Sequence, residues 1–203
     1  MTRARDLASL GDNTSKLEQQ GMVQIIASSV TKGASGSASV DSKGVVTFSG
    51  TESISINGVF SSTYTNYKVL VSIDSSTSTG HGNLQFRFGT SGTPNSNANY
   101  NSKGLYFDSG SPGGLEQSGA GKIGFGYLEF SPSANTGTKA SVVDILNPFE
   151  TKQTYAFIQG FGNQFRYCVS NVLFDATTSF TDFYIFPNSN GITGTARIYG
   201  YNN

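Results

Sequence analysis

The sequence predicts an all-β protein, folded as an antiparallel, jelly-roll-like β-sandwich. From Met22 onward, short segments alternate apolar and polar residues with a period of two, which is typical of strands that bury one face. Clusters of Gly, Asn, Ser and Asp separate these segments, and no strong helical pattern lies between them, which excludes a parallel βαβ architecture. Aromatic residues make up 12% of the chain, so large side chains are available for a core although the apolar fraction is only 36%.

The strand-like segments follow one another along most of the chain. Roughly ten strands indicate two packed antiparallel sheets, for which a jelly roll is a common arrangement. In chain order we predict strands at Met22–Ile26, Val45–Ser49, Ser53–Ile56, Tyr67–Ile73, Leu84–Phe88, Lys122–Phe130, Ala140–Ile145, Thr154–Ile158, Phe165–Phe174, Phe180–Phe186 and Thr195–Tyr199.

The first twenty residues differ from the rest, because they contain no β-rich run and carry charges of both signs. Leu7, Leu10 and Leu17 have the spacing of a helical seam, but Gly11 interrupts it and two heptads are too few for a stable coiled coil. We predict a short helix or an extended arm. It either becomes ordered against a partner or folds back on its own domain.

These patterns divide the chain into three parts. Residues 1–20 are predicted to form the N-terminal docking arm. Residues 21–44 are predicted to contain the first strand and a flexible linker of small residues between Lys32 and Ser39. Residues 45–203 are predicted to form the β-sandwich.

Charge is sparse and balanced, with 13 basic and 13 acidic residues and a formal net charge of zero. The chain has no basic block that could neutralise phosphates, so we expect no nucleic-acid partner. The segment Met1–Leu7 is not followed by an apolar stretch, and no apolar run reaches the ~18 residues that span a bilayer. We therefore expect synthesis in the cytoplasm, without a signal peptide, and no membrane insertion.

The residues needed for catalysis are scarce. The chain has one histidine, His81, in a Gly-flanked turn, and one cysteine, Cys168, for which we expect a buried, unreactive thiol. A single cysteine excludes a disulfide within the chain. One histidine and one cysteine are too few for a zinc site of the usual kind, and no histidine other than His81 is available for a Ser-His-Asp triad. We predict that the protein is not an enzyme and has no metal or other cofactor.

Paired carboxylates are the remaining route to catalysis, since they hydrolyse glycans. Most acidic residues of the strand region lie at strand ends or in turns, where Asp is favoured for turn geometry. Asp144 follows two valines in an apolar strand, and we expect its side chain to point outward. The acidic residues considered are Asp74, Asp108, Glu116, Glu129, Asp144, Glu150, Asp175 and Asp182.

Two long polar segments, Thr90–Ser102 and Asp108–Gly121, are predicted to be loops, and they are the places where we expect a binding surface. Tyrosines mixed with Asn and Ser suit the recognition of carbohydrate or protein, because they provide contact area at low entropic cost. The alternative is that these tyrosines line the core. They are Tyr64, Tyr67, Tyr100, Tyr106, Tyr199 and Tyr201.

Several motifs resemble a β-domain family of tailed-bacteriophage virion proteins. The stretch 45–71, with its small-residue turn, tyrosine and Tyr-Lys strand, resembles the opening of that domain. Leu84–Gly89 and Ala98–Tyr100 are similar to its arginine-bearing strand and the Asn-Tyr that follows. Gly194–Gly200 is similar to its closing aliphatic-Tyr-Gly strand.

The N-terminal Thr-Arg-Ala-Arg-Asp-Leu-Ala also resembles the opening of phage fibre and appendage proteins, in which this segment attaches the protein to the particle. The resemblance implies virion docking through Arg3, Arg5, Asp6, Leu7 and Leu10.

Together, the two resemblances imply a non-enzymatic structural protein of the virion. The first hypothesis is a virion tail fibre or appendage, made in the host cytoplasm, that forms a homotrimer and contacts other virion proteins and a host-surface glycan or protein. The alternative is a capsid decoration protein that stabilises the phage head.

Overall fold

The computed structural model describes residues 21–76, 84–107, 112–124, 139–162, 167–188 and 191–202. Within these ranges the chain forms strands, turns and irregular segments and no helix, so none of the described residues lies in a helix that could cross a membrane. The strands are β1 Val23–Ile25, β2 Ser29–Lys32, β3 Ser37–Val40, β4 Val46–Thr51, β5 Ile54–Asn57, β6 Asn66–Ser76, β7 Leu84–Thr90, β8 Thr93–Pro94, β9 Tyr100–Phe107, β10 Pro112–Ala120, β11 Ile123–Gly124, β12 Lys139–Leu146, β13 Thr154–Phe161, β14 Tyr167–Phe174, β15 Asp182–Pro187 and β16 Ile192–Tyr201.

The strands form two antiparallel sheets. The large sheet has the order β10-β9-β14-β13-β12-β6-β16-β4-β3, and β1 pairs with the C-terminal half of β16. The small sheet has the order β11-β7-β15-β5-β2, with β8 paired to β7. The prediction of an all-β, antiparallel sandwich is confirmed.

Each sheet buries one face against the other, because alternate side chains of a strand point to opposite faces. In β12, Val143 and Ile145 are fully buried, whereas Asp144 between them is not. Phe88 of β7 lies at the centre of the core. Its ring stacks on the ring of Phe180 with 5.1 Å between the centroids, and it also contacts Tyr100 of β9. Aromatic contacts therefore join the small sheet to the large one.

Two tyrosines considered for recognition belong to this core instead. Tyr67 and Tyr100 are fully buried, and each hydroxyl has both a donor and an acceptor as partner. The Tyr100 hydroxyl accepts from the Phe88 amide at 3.0 Å and donates to the Asn95 carbonyl at 3.1 Å. Burial raises the pKa of both tyrosines. For these two residues the core interpretation was right.

The buried carboxylate of Asp182 holds two turns together. Its Oδ1 accepts from the Gly58 amide at 2.9 Å and the Thr181 hydroxyl at 2.8 Å, and its Oδ2 accepts from the Gly92 amide at 2.6 Å. Gly58 and Gly92 both have positive φ angles, which glycine adopts without steric cost. Asp182 therefore ties the end of β5 to the turn between β7 and β8.

The structure corrects two loop predictions and the linker prediction. The predicted linker at Lys32–Ser39 contains the end of β2 and the start of β3. Asp108–Gly121, predicted as a loop, contains strand β10 in its described part, and Thr90–Ser102 contains β8 and the start of β9. Strand β9 itself was missed.

Glycines made β9 and β10 difficult to recognise as strands, although packing requires them there. A Cβ added at Gly104 would collide with the Val169 carbonyl, and one added at Gly113 would collide with the ring of Tyr106. Gly104 therefore excludes a larger side chain, whereas at Gly113 the Tyr106 ring would have to move. Propensity favours turns at such residues, and close backbone approach overrides it here.

We predict that Asp182→Ala lowers the free energy of unfolding by about 3 kcal/mol, because the amides of Gly58 and Gly92 and the hydroxyl of Thr181 lose the carboxylate that accepts their hydrogen bonds. Urea denaturation measures this change. Asp74→Ala removes the same group from an exposed position and serves as the control. A loss below about 0.5 kcal/mol would show that Asp182 does not hold these turns.

We predict a second effect on stability from Cys168, which is buried as expected. Burial raises the pKa of its thiol from 9.0 to about 11. The unfolded chain ionises this thiol first, so the free energy of unfolding falls as the pH rises from about 9 to about 11. Urea denaturation across this range should show a smaller fall in Cys168→Ala than in the unaltered protein. Equal slopes would contradict the raised pKa.

Candidate functional site

An open cleft of about 520 Å³ lies on the outer face of the large sheet, near the edge formed by β10 and β9. This is the face that does not pack on the small sheet. Strands β9, β10, β13 and β14 supply its walls and floor. Its lining residues are Asn101, Ser102, Lys103, Glu116, Gln117, Ser118, Tyr155, Asn171, Val172 and Leu173.

Strand register brings these distant residues together. Leu173 of β14 lies opposite Asn101 of β9 on one side and opposite Tyr155 of β13 on the other. Asn171 lies opposite Lys103 in the same way. The residues between Asn101 and Lys103 and between Asn171 and Leu173 are buried in the core, so the side chains of these four residues and of Tyr155 must point to the outer face.

Asn101 is held in place by three hydrogen bonds. Its Oδ1 accepts from the Gly119 amide at 3.0 Å and from the Ser118 hydroxyl at 3.2 Å, and its Nδ2 donates to the Asn99 carbonyl at 3.3 Å. The contacts with Ser118 and Gly119 cross a bulge between Gln117 and Ala120 in the pairing of β10 with β9. The bulge thus turns the backbone of β10 towards this amide.

Tyr155 presents an aromatic ring at the other side of the cleft, and 44% of the residue is exposed. Its hydroxyl donates to Oε1 of Gln153 at 2.9 Å, and Nε2 of Gln153 donates to Oδ1 of Asp175 at 2.7 Å. This chain of hydrogen bonds anchors one end of the ring. A fixed aromatic side chain contacts a ligand with little further loss of entropy.

The charges of the cleft are balanced. Lys103 and Glu116 form an ion pair with 3.1 Å between Nζ and Oε1, and both side chains are largely exposed. Exposed pairs of this kind add little stability, so either partner can turn towards a ligand. The cleft therefore offers a ring, amides and hydroxyls with no excess of charge, a combination that matches the apolar faces and hydroxyl groups of a neutral sugar.

Three of the acidic residues considered for catalysis are engaged by other groups of the protein. Asp144 points outward, as expected, and pairs with Lys68 at 3.0 Å. Asp182 binds backbone amides, and Glu116 pairs with Lys103. Among the described residues, no group of three or more His, Cys, Asp or Glu side chains is placed to hold a metal ion. Asp108, Glu129 and His81 lie outside the described residues.

The predicted docking residues Arg3, Arg5, Asp6, Leu7 and Leu10 also lie outside the described residues. The cleft lies where the two predicted loop segments meet, since Asn101 and Ser102 end the first and residues 116–118 belong to the second. Sequence reasoning missed Tyr155 and Asn171, which lie more than 50 residues along the chain from Asn101. The sequence showed that both residues lie in alternating, strand-like segments. It did not show which face of the sandwich their side chains occupy.

A second, shallower cleft of about 300 Å³ lies beside the turn between β7 and β8. It is lined by Thr90 and by the segment Thr93–Asn97, which contains no aromatic residue and no charge. It therefore lacks a surface on which a sugar ring could stack.

Comparison with protein-family models finds no match, and comparison with curated proteins finds none. Among solved structures, a legume lectin-like domain from Entamoeba histolytica is 12% identical with a TM-score of 0.39, over 85% of this chain and 86% of that one. The enzymatically active domain of tailspike protein 2 from bacteriophage CBA120 is 13% identical with a TM-score of 0.35, over 94% of this chain and 31% of that one. The CBM2 module of the evolved Dit of Lactobacillus casei BL23 phage J-1 is 13% identical with a TM-score of 0.31, over 90% of this chain and 91% of that one.

Proposed function

We propose that this chain is a non-enzymatic virion protein of a tailed bacteriophage, of the fibre or appendage type, that binds a host-surface glycan in the cleft. The observation that carries the binding role is the exposed ring of Tyr155 beside the amides of Asn101 and Asn171 on one sheet face. The ring matches the apolar C–H face of a sugar, and the amides match its hydroxyl groups.

The virion assignment is supported by sequence resemblance. Both the β-domain motifs between residues 45 and 200 and the N-terminal segment resemble phage virion proteins, in the order expected for an appendage. In this proposal Arg3, Arg5, Asp6, Leu7 and Leu10 dock on other virion proteins, and the chain works as a homotrimer.

Capsid decoration remains the second candidate, and one observation favours it. Leu105, Phe107 and Phe161 are exposed apolar side chains on the outer face of the large sheet. Exposed apolar groups that lie together often mark a protein contact. In this candidate the same face packs against the shell of the phage head.

We predict that Tyr155→Ala weakens glycan binding about tenfold or more, since the loss of about 1.4 kcal/mol of stacking corresponds to a factor of ten. An array of bacterial surface polysaccharides, read with the fluorescently labelled protein, measures this. Tyr199→Ala is the matched control, because Tyr199 also faces outward on the large sheet but lies on β16, away from the cleft. Failure of the unaltered protein to bind any polysaccharide would contradict the proposed function. Equal binding by both variants would contradict the role of Tyr155.

We predict that removal of residues 1–20 abolishes incorporation into particles. The shortened and full-length chains would be added to particles assembled without this protein, and the bound amount measured by immunoblotting. The deletion removes three basic and three acidic residues and leaves the formal net charge unchanged. A full-length Lys43→Ser/Lys152→Ser variant, which loses two exposed positive charges outside this segment, should load normally and serves as the control. Normal loading of the shortened chain would contradict docking through Arg3, Arg5 and their neighbours.

A further inference from the structure

We propose that the glycan site extends beyond the cleft along β9, β14 and β13, and that it holds several linked units of a neutral, linear polysaccharide. This inference rests on the proposed function and specifies which part of a glycan the protein recognises. The extended surface is called the outer strip. It comprises the outward side chains Asn101, Lys103, Leu105 and Phe107 of β9, Tyr167, Val169, Asn171 and Leu173 of β14, and Tyr155, Phe157, Gln159 and Phe161 of β13.

The outer strip consists of four rows that cross the three strands. The cleft occupies the two rows that contain Tyr155 and Lys103. At the other end, Phe107 lies opposite Tyr167, and Tyr167 lies opposite Phe161. Strand residues rise about 3.4 Å each, so Tyr155 and Phe161 are about 20 Å apart along β13. This length exceeds one sugar ring and accommodates several linked rings.

Aromatic rings form the floor at the far end of the strip. The ring centroids of Phe107 and Tyr167 are 6.2 Å apart with an interplanar angle of 30°. Those of Phe161 and Tyr167 are 5.1 Å apart with an angle of 45°. Phe107 and Phe161 are 41% and 48% exposed. Three neighbouring rings thus provide an apolar platform that continues the surface started by Tyr155.

The mixture of side chains favours a glycan over a second copy of this chain. Polar groups interrupt the apolar ones within the strip: Gln159 lies opposite Val169, and Asn171 lies opposite Phe157. A dry protein interface would leave these amides without partners at a cost of about 1–3 kcal/mol each. Sugar hydroxyl groups both donate and accept, so they satisfy amides while the carbon face rests on the rings.

The charges of the outer strip favour a neutral polymer. Lys103 is the one charged member of the strip as defined, and Glu116 beside it neutralises it at 3.1 Å. On the adjoining strand, Asp144 is likewise paired with Lys68. An anionic or cationic polysaccharide would find no field of opposite sign along this path.

The dependence of affinity on chain length tests the inference. The probes are linear gluco-, manno- and galacto-oligosaccharides, from the monosaccharide to the hexasaccharide, measured by isothermal titration calorimetry. In at least one series we expect affinity to rise tenfold or more between the disaccharide and the hexasaccharide. Equal affinity for the two lengths would overturn the extended site and leave the proposed function intact. No binding in any series would overturn the extended site for a neutral polysaccharide, and the polysaccharide array would then decide whether the proposed function also fails.

Variants at the far end of the strip provide the second readout. Phe161→Ala should remove most of the increase in affinity between the disaccharide and the hexasaccharide and leave the affinity for the disaccharide unchanged. Phe161→Tyr should keep this increase. Ile26→Ala, at a comparably exposed apolar residue beyond β1, should change neither. Phe161 is half exposed, so its replacement leaves the core intact.

Sedimentation of the same variants separates a glycan platform from a subunit interface. We expect Phe161→Ala to sediment like the unaltered protein. If Phe161→Ala dissociated an oligomer and left hexasaccharide affinity unchanged, the far end of the strip would be an interface between copies of this chain and the inference would be wrong.

Discussion

Aromatic packing between the two sheets is the interaction on which the rest of the molecule depends. Phe88 of the small sheet contacts Phe180 and Phe183, and it meets Tyr100 and Phe174 of the large sheet. Buried aromatic residues contribute the largest apolar areas of any side chains, so a chain with a modest apolar fraction can still hold two sheets together. This packing decides which face of every strand is inside. The opposite face of the large sheet is left outside this core.

The position of the cleft follows from this arrangement. Tyr100 and Phe174 are anchored in the core, so the residues next to them, Asn101 and Leu173, must point outward. The chemistry of the outer face is thus set by the residues that alternate with the core. A rigid scaffold supports the site from below, and the bulge in β10 adds Ser118 and Gly119 at its rim. Such a site needs little rearrangement when a ligand binds.

The sequence was sufficient to predict the architecture because the period of two is a local signal. In β12 it also predicted that Asp144 points away from the core, as the ion pair with Lys68 confirms. It was insufficient for β9 and β10, where Gly104 and Gly113 serve close packing and resemble turn residues. The site itself could not be assembled from sequence, since Asn101, Tyr155 and Asn171 meet only through the register of three strands. Register depends on long-range packing, which local patterns do not contain.

The most direct test of the central claim is a titration of the isotopically labelled protein with the hexasaccharide that binds most tightly, followed by two-dimensional ¹H–¹⁵N NMR. If the outer face of the large sheet is the binding surface, amide signals of β9, β13 and β14 shift, and those of β5 and β15 in the small sheet stay in place. Shifts confined to the small sheet or to the turn between β7 and β8 would contradict the account.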